Sequence, residues 1–475
     1  MNCWINRTLS VYGKLVIIKT LALSKLSHLA LVLPNLDSHK LKSLENLLFT
    51  FLWNNKPDKV SRDHTKLSEK AGGLGFVDIK SFWQALKISW FRRALSTNAF
   101  WPTILEQEVS VIMGRDVALY EILQFGPNMF TNIGKKMKNN FWKGVFCSVD
   151  SFMQGAIFCN PENIFTAPLW DNPMIKRNNK PLKGNAFPIL SSKLSTISNL
   201  YKPCTSTMLT RIELENSFDI AVNEETFIEF QYIIKTAIRS IGVQENFGIA
   251  TFQPFQPLLI SLVNSVKKGC NLYYKYIRKK INISTSLVER ETRWHNELNS
   301  TFGTDFWNAT YNLASSIKNE NKIKWLQYQI NRNCLFTNYK VNKFKPNISP
   351  FCTFCSHVEG VLNLESISHI FYDCDFTLQL WQTLRTWLQT FNKNIPLNRT
   401  AILFGLHDQP STSVENFLIL CGKYYIWKTK FQSTEISFTS FKGFLKYKLE
   451  ELRNACSFEE KDAKFEQWLL IYDCL

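Results

Sequence analysis

"CTFCSHVEGVLNLESISHIFYDC", residues 352–374, sets two cysteines two positions apart, follows them with a histidine and closes on a third cysteine. Cys352, Cys355, His369 and Cys374 read as C-x2-C-x13-H-x4-C. A C-x2-C pair on a tight turn can aim both thiolates at one ion, and the second pair can return from a helix or its end to complete a tetrahedron. Zinc suits such a mixed sulfur and nitrogen set. Four protein ligands leave no open position for a catalytic water, so the expected cofactor is a structural zinc. His357 competes as a ligand, but it lies very close to Cys355, whereas His369 carries the His-x4-Cys spacing. The same residues also fit three buried thiols and a core histidine.

Helical patterns surround this stretch. "NKIKWLQYQINRNCL" precedes it and "FTLQLWQTLRTWLQTF" follows, with further runs over 414–430 and 441–455. At the front, Leu15, Ile18, Ala22, Leu26 and Leu29 recur at helical spacing until Pro34 stops the run. A second stripe, Leu41, Leu44, Leu48 and Phe51, ends at Trp53, and a third helix is expected from about Ser81 to Leu95. Between the second and third, "AGGLGFVDI" lacks the spacing of a phosphate-binding loop and reads as a tight turn at Gly72, Gly73 and Gly75. From about 130 to 285 the pattern loosens, with polar and Pro-containing stretches. These read as loops between short helices, with a linker near 176–206. The chain is expected to be mainly α and carries no tandem repeat at solenoid spacing.

Hydrophobic residues make up 45% of the 475, with 37 Phe and 14 Trp, so the chain can bury more than one core and is not a disordered polymer. The formal charge of +17, spread along the chain, favours polyanionic partners, nucleic acid first and an acidic membrane surface second. The early apolar runs, broken by Lys19, Lys25 and Pro34, read as too short for a bilayer span or a signal peptide, which implies an intracellular protein and no membrane partner. Twelve cysteines without a disulfide-like spacing agree with a reducing compartment. Two clusters mix cations with aromatics: Lys135, Lys136, Lys138 and Lys143 in one, and Lys275, Arg278, Lys279 and Lys280 in "YYKYIRKK". They fit either phosphate contact with base stacking, or amphipathic helices whose aromatics face the core.

"ISHIFYDCDFTLQLW" after "CTFC" resembles the zinc-binding segment that follows the polymerase region in reverse transcriptases of non-LTR, long-interspersed-type retrotransposons. The matching positions are Cys352, Cys355, Glu365, His369, Phe371, Cys374 and Trp381. "LSVYGKLVIIKTLALSKLSHL", "LWNNKPDKVSRD", "GGLGFVDIKSFWQALKISWFRR" and "PLWDNPMI" look like the thumb and connecting region past the catalytic palm. The resemblance implies a thumb-like helical region over 1–110, a loosely packed helical connector over 111–285, and a C-terminal helical domain over 286–475 holding the zinc module at about 325–385.

A polymerase of that family needs paired aspartates to hold two divalent metals, and no adjacent Asp-Asp occurs in this sequence. The resemblance therefore implies a noncatalytic, nucleic-acid-binding part of a reverse transcriptase, located in cytoplasm and nucleus. Its expected partners are RNA and DNA, and a full-length retrotransposon polymerase. The alternatives are a portion of an RNA-directed DNA polymerase whose palm lies upstream, and a retrotransposon remnant without function. Carried over by position, Arg7, Lys14, Lys19, Lys25, Arg92 and Arg93 are candidate phosphate contacts. Lys275, Arg278, Lys279 and Lys280 join them, as do Lys340, Lys343 and Lys345, which the zinc segment would present with Tyr339, Phe344 and Phe354.

Overall fold

The structure is a computed structural model. It describes residues 4, 7, 9–114, 116–124, 127–153, 163–202, 207–243, 258–263, 265, 269–281, 285–316, 320–357, 362–407, 413–432 and 434–455. The fold is mainly helical, as the hydrophobic periodicity predicts, and the one strand pair among the described residues is a two-residue hairpin. The chain divides into two compact units, each woven from separated segments. One takes Met1–Ala22, Leu44–Val77 and Asn282–Leu475, and the other takes Leu23–Ser43 and Asp78–Ile281. Periodicity shows which face of a helix is apolar, but not which distant segment covers it.

The first helical stripe runs without a break from Val11 to Val32, with a π-helical turn over Ile18–Ala22. Because Lys19 and Lys25 fall within the helix rather than ending it, its length and apolar composition meet the requirement for crossing a membrane, contrary to the reading of short interrupted runs.

In the Leu23–Ser43 and Asp78–Ile281 unit, the Ile79–Ser96 helix begins where the Asp78 carboxylate accepts from the Ser81 N–H at 2.8 Å. Ala85, Ile88 and Phe91 on this helix are fully buried. Phe91 meets Phe130 and Phe146, at ring-centroid distances of 6.0 and 5.7 Å, from the Pro127–Lys136 and Asn140–Met153 helices. The segment read as a linker is part of this packing. Lys176–Arg177 pairs with Lys180–Pro181 around Asn178 and Asn179, both at positive φ, where asparagine is tolerated better than most residues. Beyond the hairpin, Leu182, Leu190, Leu194, Ile197 and Leu200 are all buried. The apolar residues of this stretch sit in turns and short helices, so no period of 2 or 3.6 reveals them.

In the other unit, the glycine-rich stretch is the predicted turn. Gly72 sits at φ 70°, and a Cβ on Gly73 would lie 2.1 Å from the Leu67 carbonyl oxygen. The Gly72 carbonyl accepts from the Nε of buried Arg332 at 2.9 Å, tying the front of the chain to the end of the Asn321–Asn331 helix. The core of this unit gathers Trp294, Phe404, Leu418 and Trp381. The Asp375–Gln389 and Ser413–Gln432 helices approach so closely that Gly422 lies against the Trp381 ring.

A Cβ at Gly422 would stand 2.4 Å from Trp381 Cη2. Alanine gains about 1 kcal/mol of helix propensity over glycine, while forcing a methyl into a packed core costs about 1–3 kcal/mol. Here the obstacle is a rigid buried indole, so Gly422→Ala is expected to lower stability by roughly 1–2 kcal/mol in a denaturant melt. An increase in stability would show that the two helices are not this closely packed.

Candidate metal centre

Cys352 lies beside an isolated antiparallel bridge between Phe351 and Leu364. Its N–H donates to the Asn363 carbonyl at 2.8 Å, and its carbonyl accepts from the Ser356 N–H at 3.0 Å, closing the tight C-x2-C turn that carries Cys355. His369 opens the π-helical turn His369–Asp373 and donates its N–H to Ser366 Oγ at 2.9 Å. Cys374 ends that turn, donates to the His369 carbonyl at 2.9 Å and caps the Asp375–Gln389 helix. The sequence expectation of a turn-borne pair and a helix-end pair is therefore the observed geometry.

The four ligand atoms all lie within 4.8 Å of one another, and all four residues are buried. Cys355 Sγ is 3.4 Å from His369 Nε2 and 3.6 Å from Cys374 Sγ. A tetrahedral zinc with Zn–S near 2.3 Å and Zn–N near 2.0–2.1 Å has edges of about 3.8 Å between sulfurs and about 3.6 Å between sulfur and nitrogen. The observed edges fit that ion, and the three cysteines are free rather than bridged in a disulfide. His357 Cα lies in the turn after Cys355, while its side chain is outside the described residues.

Thiols this close cannot all ionise on their own. Hydrogen bonding from the Cys374 thiol outweighs burial and, with a further contribution from His369, draws Cys352 below the usual thiol range, while donating that bond and being buried push Cys374 up. Zinc replaces those protons with one divalent charge, so its binding releases protons and weakens as pH falls. Four protein donors complete the coordination, and the centre can hold structure but has no vacant position for Lewis-acid chemistry.

A second buried group supports the module. Glu365, fully buried, accepts from the Asn338 N–H at 2.7 Å, from Thr353 N at 3.3 Å and from Thr353 Oγ1 at 3.2 Å, and forms an ion pair with buried Lys430. Lys430 also donates to Asn338 Oδ1 at 3.0 Å, and Asn338 Nδ2 donates to the Phe351 carbonyl at 3.0 Å. This network fixes Phe351, just before Cys352, and Thr353, the first of the two residues between the cysteines. The sequence marked Glu365 as a matching position but gave it no task. The signal for Lys430 was faint, one of three lysines in the Ser413–Gln432 helix with nothing local to mark it as the buried partner of Glu365.

The predicted basic residues scatter. Lys340, Lys343 and Lys345 do come together with Tyr339 and Phe344 just ahead of Cys352, with Lys343 Nζ 4.5 Å over the Tyr339 ring and Phe344 58% exposed. Lys340 is turned inward and donates to the Asn333 carbonyl at 2.5 Å. Phe354 is buried in the core and leaves that surface set. Lys14 is not on the solvent face of its helix: it is buried, and its ammonium donates to the Phe51 carbonyl at 3.0 Å and to Asn54. Lys19 is exposed, and Arg7 is exposed with its guanidinium 4.4 Å from the Trp4 ring.

Lys25, Arg92, Arg93, Lys275, Arg278, Lys279 and Lys280 belong to the other unit. There Lys25, Lys275 and Lys279 are exposed, and Arg93 is exposed with its guanidinium 5.2 Å from the Trp90 ring. Arg92 donates to the Ser265 carbonyl at 2.8 Å, Arg278 lies 3.9 Å from Asp78, and Lys280 donates to the Phe152 carbonyl. In both mixed clusters aromatics face inward. Tyr273 is fully buried, and Trp142 packs with Trp90 and Trp101 at 6.0 and 5.6 Å.

Two outcomes follow from this geometry. Cys352→Ser or His369→Ala removes a ligand from a closed site, so the purified variant is expected to lose its zinc and show a lowered melting temperature that chelator lowers no further, whereas chelator destabilises the parent chain. Lys430→Met leaves Glu365 buried without its cation and is expected to cost about 3–5 kcal/mol, with Glu365→Gln added in the same chain restoring part of the loss. Equal stability of the single and double variants in a urea titration would refute that coupling.

A family profile described as zinc-binding in reverse transcriptase matches residues 290–381, a span that contains all four ligands. Among curated proteins, none matches the chain significantly. Profile and buried Cys3His set agree on one conclusion: residues 290–381 are a reverse-transcriptase-associated region that binds zinc through Cys352, Cys355, His369 and Cys374.

Proposed function

We propose that this chain is a noncatalytic, nucleic-acid-binding part of a non-LTR retrotransposon reverse transcriptase, organised around its structural zinc. The observation that carries this reading is the cation and aromatic surface leading directly into the metal centre. Lys343 and Lys345 stand exposed beside Tyr339, Phe344 and Phe336, and the Phe336 and Phe344 rings meet at 5.9 Å. Exposed rings among lysines suit unstacked bases and backbone phosphates, so single-stranded or looped RNA is the preferred partner, with DNA as a second. No membrane partner belongs to this reading, which places the protein in cytoplasm and nucleus.

Noncatalysis rests on chemistry. Nucleotidyl transfer of this type needs two divalent metals held by carboxylates, and the sequence has no adjacent aspartate pair to hold them. The match over 290–381 also favours a second reading, in which these residues serve a polymerase whose palm lies upstream and whose full-length form is a partner.

With purified chain and labelled single-stranded RNA, log affinity is expected to fall linearly with log salt, with a slope near −3 if about four phosphates are contacted. Salt-independent binding, or none to RNA and DNA alike, would refute the reading. Template, primer, magnesium and deoxynucleotides are expected to give no extension, and extension by the purified chain would refute noncatalysis.

A further inference from the structure

Away from the zinc, the "LWNNKPDK" turn encloses a cavity of about 100 Å³ lined by Leu9, Val11, Lys14, Leu52, Trp53, Asn54, Lys56 and Lys59. All of these residues belong to the zinc-bearing unit. Three cations line the cavity and no carboxylate does. Trp53 is 3% exposed, and its indole N–H has no hydrogen-bond partner among the described residues, an expensive omission for a buried donor. The turn has a defined backbone. Asn54 and Asn55 sit consecutively at φ 55° and 58°, held by the Asn55 N–H donating to the Thr50 carbonyl at 2.9 Å.

Charge and shape agree on the missing component. Lys56 and Lys59 are exposed and form no ion pair among the described residues. Loss of hydration around the ammonium holds buried Lys14 and exposed Lys59 below the usual lysine range, and Lys56 adds repulsion to Lys59. An anion would relieve the repulsion. The Lys59 ammonium also stands 6.0 Å from the rings of Trp325 and Phe336, and Phe336 is 44% exposed. An aromatic face next to an anion pocket fits a base attached to a phosphate better than it fits a free inorganic ion.

We infer that this cavity is a phosphate site that takes one backbone phosphate of single-stranded nucleic acid, with Lys56 and Lys59 as its donors and Phe336 as the neighbouring stacking face. This deepens the nucleic-acid reading and rests on it. Lysine acetylation of the full chain, read residue by residue by mass spectrometry, tests it with two probes, a short oligouridylate and inorganic tripolyphosphate. The oligouridylate is expected to suppress acetylation of Lys56 and Lys59 severalfold while leaving exposed Lys70 unchanged. In fluorescence anisotropy the Lys56→Ala/Lys59→Ala chain is expected to bind it roughly tenfold more weakly, with a salt slope smaller by about 0.7 for the one phosphate lost. Protection by tripolyphosphate alone would overturn the assignment to a polymer, and protection by neither would overturn the site. Oligouridylate binding that leaves Lys56 and Lys59 unprotected would overturn this pocket while the wider reading stands. Absence of oligouridylate and DNA binding by the parent chain would overturn both.

Discussion

Three thiols and an imidazole gathered within 4.8 Å in a buried site make sense only around a cation, and much of the zinc-bearing unit is arranged to produce that gathering. Cys352 is fixed by a backbone bridge, Cys355 by a tight turn and His369 by a π-helical turn, while Cys374 doubles as a helix cap. The helix it caps carries Trp381, whose indole N–H donates to the Phe371 carbonyl at 2.7 Å and whose ring is seated against Gly422. Coordination thus links the C-x2-C turn to the hydrophobic centre of the unit. A metal with no open position has this mechanical task and no chemical one.

The lysines of this unit divide into two kinds. Lys423 is fully buried, bonded to Gln327 Oε1 at 2.5 Å and the Leu403 carbonyl at 2.8 Å, and burial holds it well below the usual lysine range. Lys430 neutralises Glu365, and Lys448 pairs with Glu320 and Glu451 at 2.5 and 2.6 Å. These cations belong to the interior, so a formal charge of +17 overstates what a polyanion meets at the surface. Among the exposed lysines, Lys343 and Lys345 stand by the exposed aromatics and Lys56 and Lys59 by the Trp53 cavity.

The metal centre was legible in the sequence because ligand chemistry demands particular residues at particular spacings, and C-x2-C with His-x4-Cys meets that demand locally. Helices were legible wherever apolar residues kept a 3.6 period, as in the stripe from Leu41 to Phe51. Burial of individual cations was not. Lys14 and Lys19 look alike in sequence, yet one is held by the Phe51 carbonyl and the other lies in solvent, because the covering segment arrives from some forty residues away. Nor were the interleaved units or the packing of 176–202 legible, since irregular backbone buries its apolar residues without a period. Glu365 was visible but mute, for its value comes from Lys430, 65 residues further on.

X-ray absorption at the zinc edge on the purified chain examines the centre most directly. One zinc per chain is expected, with three sulfur neighbours near 2.3 Å and one nitrogen near 2.0–2.1 Å. A chain that carries no zinc, or a zinc whose shell includes oxygen in place of one of these ligands, would contradict a closed Cys3His site as the constraint on which this unit is built.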